Sequence, residues 1–254
     1  MARTLWIGTS WKMTKTLGEA RAFARALVDV TVPPGVQPFV LPAHTSLAAV
    51  RDCLPEGSPV LLGAQNAHWA AGGAGTGEVS MWMVADAGAR LVEMGHSERR
   101  QQFAETDETV SRKARAATDA HLVPLVCVGE PADVRDAGDA EGFVTGQVRA
   151  ALSRLQPHEV AGAMVAYEPI WAIGEAGRPA TPREVAPVLD AVRDELARCS
   201  QGDGARALLY GGSVSPDNAG TLLDEVDVDG LFIGRAAWDV TGFLAFLRLA
   251  GDRV

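Results

Sequence analysis

The stretch MVAYEPIWAIG, residues 164–174, decides how the chain is read. Its first part, Met164 to Glu168, is an apolar run of strand length that ends on a carboxylate and is closed by Pro169. Working outward, seven more runs of the same kind stand at Leu5 to Ser10, Phe39 to Leu41, Val60 to Gln65, Ala89 to Met94, Val123 to Val128, Ala207 to Tyr210 and Gly230 to Ile233. Between them lie amphipathic stretches near 16–30, 46–53, 80–87, 106–121, 140–155, 181–199, 216–224 and 239–249. Thr181-Pro182 and Ser215-Pro216 each put a cap oxygen before a proline at the first helical position. Eight strands alternating with eight helices predict an α/β fold, a (β/α)8 barrel with a parallel sheet and outer helices. No Pro/Ser-rich linker or low-complexity tract divides the chain, so residues 1–254 are expected to be one domain. The glycine-rich patch Gly72 to Gly77 is too short to separate domains and is read as a projecting loop.

Bulk composition narrows the partners. A formal net charge of -9 with no basic stripe argues against nucleic acid and against an anionic membrane surface. The opening MARTLWIGTSWKM lacks a signal-peptide core, and no apolar run approaches the ~20 residues of a membrane span, so a cytoplasmic protein is expected. Cys53, Cys127 and Cys199 lie far apart with neither CxxC pairing nor Cys/His ligand spacing, which predicts no disulfide framework and no zinc site. Neither G-x-G-x-x-G nor a P-loop occurs, leaving nucleotide binding without a motif. Lysine appears only at 12, 15 and 113 against twenty arginines, which sets Lys12 apart as a residue with a specific use.

In such a barrel the active site sits at the carboxyl ends of the strands. There the chain supplies Ser10-Trp11-Lys12 after the first strand, Gly95-His96-Ser97-Glu98 after the fourth and Glu168-Pro169 after the sixth. Gly211-Gly212-Ser213 follows the seventh and Gly234-Arg235 the eighth. Taken singly, each group has an ordinary reading: a solvated glutamate, a structural histidine, a glycine turn. On one rim they form a carboxylate base, a neutral hydrogen-bond donor and a fixed cation, the equipment for removing a proton beside a carbonyl and stabilising the enediolate. Glycine-bearing loops after the last two strands expose N–H groups suited to a phosphate. The set reads as a phosphosugar isomerase. A carboxylate moves this proton unaided, so no metal or organic cofactor is called for. His44 and His68 are weaker candidates for the rim, and His121 and His158 fall near helix ends.

At these residues the sequence resembles the triosephosphate isomerase family over essentially its whole length. The matching strings are SWKM at 10–13, GAQN at 63–66, TGE at 76–78, GHSERR at 95–100, CVGE at 127–130, YEPIWAIG at 167–174, YGGSV at 210–214 and DGLFIG at 229–234. The resemblance implies Glu168 as the proton shuttle, His96 as the neutral electrophile and Lys12 as the electrostatic anchor, with Glu98 pairing Lys12. This family is itself the reference case of a base working with a neutral imidazole. It further implies that Pro169 to Ala180 forms a lid excluding water, and that main-chain N–H groups of Gly174, Ser213, Gly234 and Arg235 hold the phosphate. Thr76 is implied to reach the active site of a twin subunit, hence a homodimer.

Three departures bear on the substrate. Ser10 stands where the family has an asparagine whose amide touches the substrate, leaving space for an extra hydroxymethyl group. The lid PIWAIGEAGRPA is one residue longer than usual and has Pro179 but no lysine near its end. Gly234-Arg235 replaces a glycine pair, adding a cation. With IGTSWKM, AQNAHWA and GLFIGRAAW, these features look closer to the erythrulose phosphate isomerases of erythritol catabolism, which act on a four-carbon ketose. The expectation is interconversion of L-erythrulose 1-phosphate and D-erythrulose 4-phosphate. The alternatives are a glycolytic triosephosphate isomerase, with an ordered water replacing the amide at position 10, and a catalytically silent barrel that only binds a phosphorylated metabolite.

Overall fold

The computed structural model describes residues 4–173 and 177–254. Eight strands, β1 (Leu5–Ser10), β2 (Val36–Leu41), β3 (Leu61–Gln65), β4 (Leu91–Met94), β5 (Val123–Val128), β6 (Met164–Tyr167), β7 (Ala207–Tyr210) and β8 (Gly230–Ile233), close in chain order into a barrel. Every neighbouring pair is parallel, and β8 closes on β1 through Trp6 to Thr9. The chain is therefore a (β/α)8 barrel, as its alternating pattern predicts.

Among the described residues the outer layer comprises α1 (Leu17–Ala26), α2 (His44–Arg51), α3 (Met81–Asp86), α4 (Ser97–Gln102), α5 (Asp107–Asp119), α6 (Ala132–Asp136), α7 (Ala140–Leu152), α8 (Pro157–Val160), α9 (Pro182–Cys199), α10 (Pro216–Glu225) and α11 (Val240–Gly251). Three of these, α4, α6 and α8, lie outside the sequence-based expectation; they are short and present little or no apolar stripe, so no periodicity marks them. The two Pro-headed helices start where expected. The Glu184 carboxylate accepts the Thr181 N–H at 2.9 Å, and the Asn218 amide oxygen accepts that of Ser215 at 2.8 Å.

The strands are buried on both faces. One apolar layer lies between sheet and helices, and a second fills the barrel, where Trp6, Phe39, Leu91, Leu125, Met164, Leu209 and Phe232 meet. Gly8 makes room for this interior: a Cβ there would fall 1.9 Å from Cζ of Phe39. Residues that follow the carboxyl ends of the strands are then free to build a cavity above this packed interior. No helix among the described residues is long and apolar enough to cross a membrane.

Candidate active site

At the carboxyl end a cavity of about 390 Å³ is lined by Ser10, Lys12, His96, Glu98, Glu168, Ser213, Gly234 and Arg235, together with Ile173, Gly211, Gly212 and Trp238. The structure thus brings together every expected site residue of the described chain except Thr76. That residue lies exposed in the glycine-rich loop, away from its own cavity. Gly174 and the adjoining part of the expected lid lie outside the described residues. His44 and His68 do not line the cavity: His44 Nε2 meets the Asn66 carbonyl at 2.8 Å, and His68 stacks on Trp69 and accepts the Ala70 N–H.

Three strand ends position the reactive groups. Lys12, two residues beyond β1, is in the left-handed region, with φ of 51°, a conformation that costs a non-glycine residue free energy and persists where its surroundings enforce it. Its ammonium donates to Glu98 Oε1 at 2.6 Å. His96 caps α4, and its Nδ1 accepts the Glu98 N–H at 3.3 Å. An acceptor at Nδ1 puts the ring proton on Nε2, which faces Glu168 Oε1 at 3.1 Å. Burial, and then the Lys12 charge, lower the imidazole to about 3, so it is neutral through the physiological range. A neutral imidazole presenting an N–H at this point donates a hydrogen bond without carrying charge.

Glu168 follows β6 and is 2% exposed. Its Oε2 accepts the Ser97 N–H at 3.3 Å, the first N–H of α4. Burial raises the carboxyl to about 7, against the pull of the nearby Lys12 ammonium, which leaves it poised to take up and release a proton. Two glycines admit it: a Cβ on Gly129 would lie 1.8 Å from the Glu168 carbonyl oxygen, and one on Gly211 would lie 3.1 Å from the Glu168 Cγ.

Ser213, Gly234 and Arg235 form another part of the cavity wall, with Arg235 exposed at the head of a short 3-10 turn, Arg235–Ala237. Ser10 is buried at the end of β1, and its carbonyl accepts the Trp238 indole N–H at 2.9 Å. Among the described residues no group of three or more His, Cys, Asp or Glu side chains is arranged to hold a metal ion.

Sequence reasoning passed over two features. Glu93 lies inside β4, 5% exposed, with Oε1 3.9 Å from His96 Nε2 and, among the described residues, no hydrogen-bond partner for Oε2. The signal was a carboxylate in the otherwise apolar run LVEM. The second lies at the base of the expected lid, where the Trp171 indole donates to Glu130 Oε1 at 2.6 Å and is flanked by the guanidiniums of Arg135 and Arg178 at 3.7 and 4.9 Å from the ring centre. Both arginines also bind Glu184.

Comparison with known proteins follows the same line. The family model described as Triosephosphate isomerase matches residues 5–250. The chain is similar to the L-erythrulose-1-phosphate isomerase of Mycolicibacterium smegmatis, 52% identical over 98% of this chain and 94% of that protein. It is similar to proteins of the same name from Brucella abortus (strain 9-941) and from Rhizobium rhizogenes, each 47% identical, over 98% and 97% of this chain and 97% of each of those proteins.

Proposed function

Because the chain belongs to the triosephosphate isomerase family, we propose that this sugar-phosphate isomerase interconverts L-erythrulose 1-phosphate and D-erythrulose 4-phosphate. The observation carrying this reading is near full-length identity of 44–52% to relatives bearing one substrate name. A small Ser10 at the cavity supports it: the tetrulose phosphate exceeds a triose phosphate by one hydroxymethyl group, and a serine in place of the family's asparagine leaves volume for it.

In the proposed reaction Glu168, ionised, removes the proton from the carbinol carbon beside the carbonyl. The His96 Nε2–H donates to the carbonyl oxygen as negative charge develops there, and the Lys12 ammonium stabilises the same enediolate. Glu168 then returns the proton to the neighbouring carbon while the imidazole carries a proton from one enediol oxygen to the other. The carbonyl has moved between the two inner carbons, with no oxidant or co-reactant. The wall of Ser213, Gly234 and Arg235, with Gly174, is assigned to the phosphate. Glu98 holds the Lys12 ammonium in place.

The test is kcat/KM on L-erythrulose 1-phosphate beside that on glyceraldehyde 3-phosphate. A tetrulose preference is expected, and a triose preference of tenfold or more overturns the substrate assignment in favour of a triosephosphate isomerase.

A homodimer is part of the proposal, with Thr76 reaching the partner's cavity. Met13 is 99% exposed, beside Lys12, and Trp82, Met83 and Phe103 are also exposed, apolar side chains that a twin subunit would cover. Sedimentation at low micromolar concentration checks it, and a monomer there overturns it. A cytoplasmic location and a place in erythritol catabolism complete the reading.

A further inference from the structure

One buried group beside the cavity has no part in the proton transfer just described. Glu93 projects from β4 directly behind two residues that line the cavity: His96, whose Nε2 is 3.9 Å from its Oε1, and Ser10, whose hydroxyl hydrogen-bonds its carboxyl. It is 5% exposed, and its Oε2 has no hydrogen-bond partner among the described residues. A buried polar atom without a partner is destabilising, and a carboxyl in an apolar strand adds nothing that valine would not supply to the core. Such a group is retained where a ligand completes it.

We propose that Glu93 is the specificity-determining residue for the four-carbon substrate, its carboxyl receiving the terminal hydroxymethyl group that a triose phosphate lacks. The inference rests on the substrate assignment above and names the group that enforces it. Ser10, small and hydrogen-bonded to one side of the Glu93 carboxyl, supplies the room, and the unpartnered Oε2 supplies the hydrogen bond. Burial first, and then the charge of Glu168, raise the Glu93 carboxyl to about 8. At neutral pH it is therefore protonated, able to donate to and accept from a hydroxyl, and adds no second negative charge beside the base. A site with a buried polar group waiting for a hydroxyl rejects the analogue without one far more strongly than a merely roomy pocket does.

Wild type, Glu93→Val and Glu93→Gln are assayed near pH 7 on L-erythrulose 1-phosphate and on dihydroxyacetone phosphate, with melting curves to verify folding. Glu93→Val is expected to lose at least ~100-fold in kcat/KM on the tetrulose and to change less than about threefold on the triose. Glu93→Gln, which still donates and accepts, is expected to keep tetrulose activity within about tenfold. A parallel fall on both substrates makes Glu93 a support for His96 and overturns the proposal. So does a tetrulose rate in Glu93→Val within about threefold of wild type. Failure of the substrate assignment is read separately, from the wild-type ratio.

Discussion

In and behind the wall of the cavity Glu93, His96 and Glu168 are each no more than 6% exposed, and their polar atoms have few partners. At the hinge of the expected lid Glu184 accepts from Arg135, from Arg178 and from Thr181, in partly exposed surroundings. The same side chain, glutamate, is driven in opposite directions: burial lifts Glu93 and Glu168 to about 8 and about 7, while Arg178, the Thr181 N–H and Arg135 hold Glu184 well below the usual carboxylate range. A carboxyl short of partners is held protonated to higher pH and is open to a ligand or a proton, and one with many is a fastener. Chemistry is thus expected to be sensitive at the cavity wall and redundant at the hinge.

The largest effect tests the first half of that contrast. Glu168→Gln preserves the shape of the side chain and one acceptor oxygen but removes the base, so kcat is expected to fall at least ~10²-fold. Unchanged turnover defeats the assignment. Next comes the pH profile. Glu168 abstracts a proton only when ionised, so kcat/KM is expected to fall as pH drops below about 7, by about tenfold per unit. His96, lowered to about 3, stays neutral across that window and adds no limb. An acid limb near the ordinary carboxylate value of 4.5 contradicts the claim that burial governs this region.

Stability gives the intermediate test, with its sign set by the same shifts. A carboxyl whose folded value lies above its unfolded one stabilises fully below about 4.5, and that contribution is lost as pH rises through the folded values of about 7 and about 8. Glu93→Gln does not titrate, so its melting temperature relative to wild type is expected to climb between pH 5 and pH 8. In a chain of this size each ~1 kcal/mol moves Tm by roughly 2–4 °C. A difference that stays flat with pH shows that Glu93 keeps an ordinary carboxylate value in the fold.

The barrel was legible because its signal is local. β1, β5, β7 and β8 begin and end where their apolar runs do, since each strand is buried on both faces. β2 starts three residues before the expected Phe39 because Pro38 reads as a breaker, yet its ring sits within a strand whose neighbours supply the ladder. α4 stayed hidden because SERRQQ has no apolar stripe and its cap is His96, a residue read for its chemistry. The groups on the rim were legible because each ends a strand. Glu93 was not, because a single carboxylate in LVEM looks like strand alternation until the barrel shows both faces covered. The Arg135, Trp171, Arg178 and Glu184 cluster was not legible either, being assembled from segments far apart in sequence and joined only by the fold.

The smallest effect tests the hinge. Arg178→Ala removes one guanidinium from the Trp171 face and two hydrogen bonds to Glu184. Arg135 still stacks on Trp171 at 3.7 Å and still binds Glu184 at 2.6 Å, and the Trp171–Glu130 hydrogen bond is untouched. Exposed ion pairs contribute roughly 0–1 kcal/mol, so kcat/KM is expected to change less than about fivefold and Tm by no more than a few degrees. Redundancy makes a sharper forecast for the pair: with Arg135→Ala added, Glu184 and Trp171 lose both guanidiniums at once, and the double variant is expected to lose more than the product of the single effects. If the single Arg178→Ala change already costs as much as Glu168→Gln, the hinge is no fastener but part of the chemistry, and the distinction between the two regions fails.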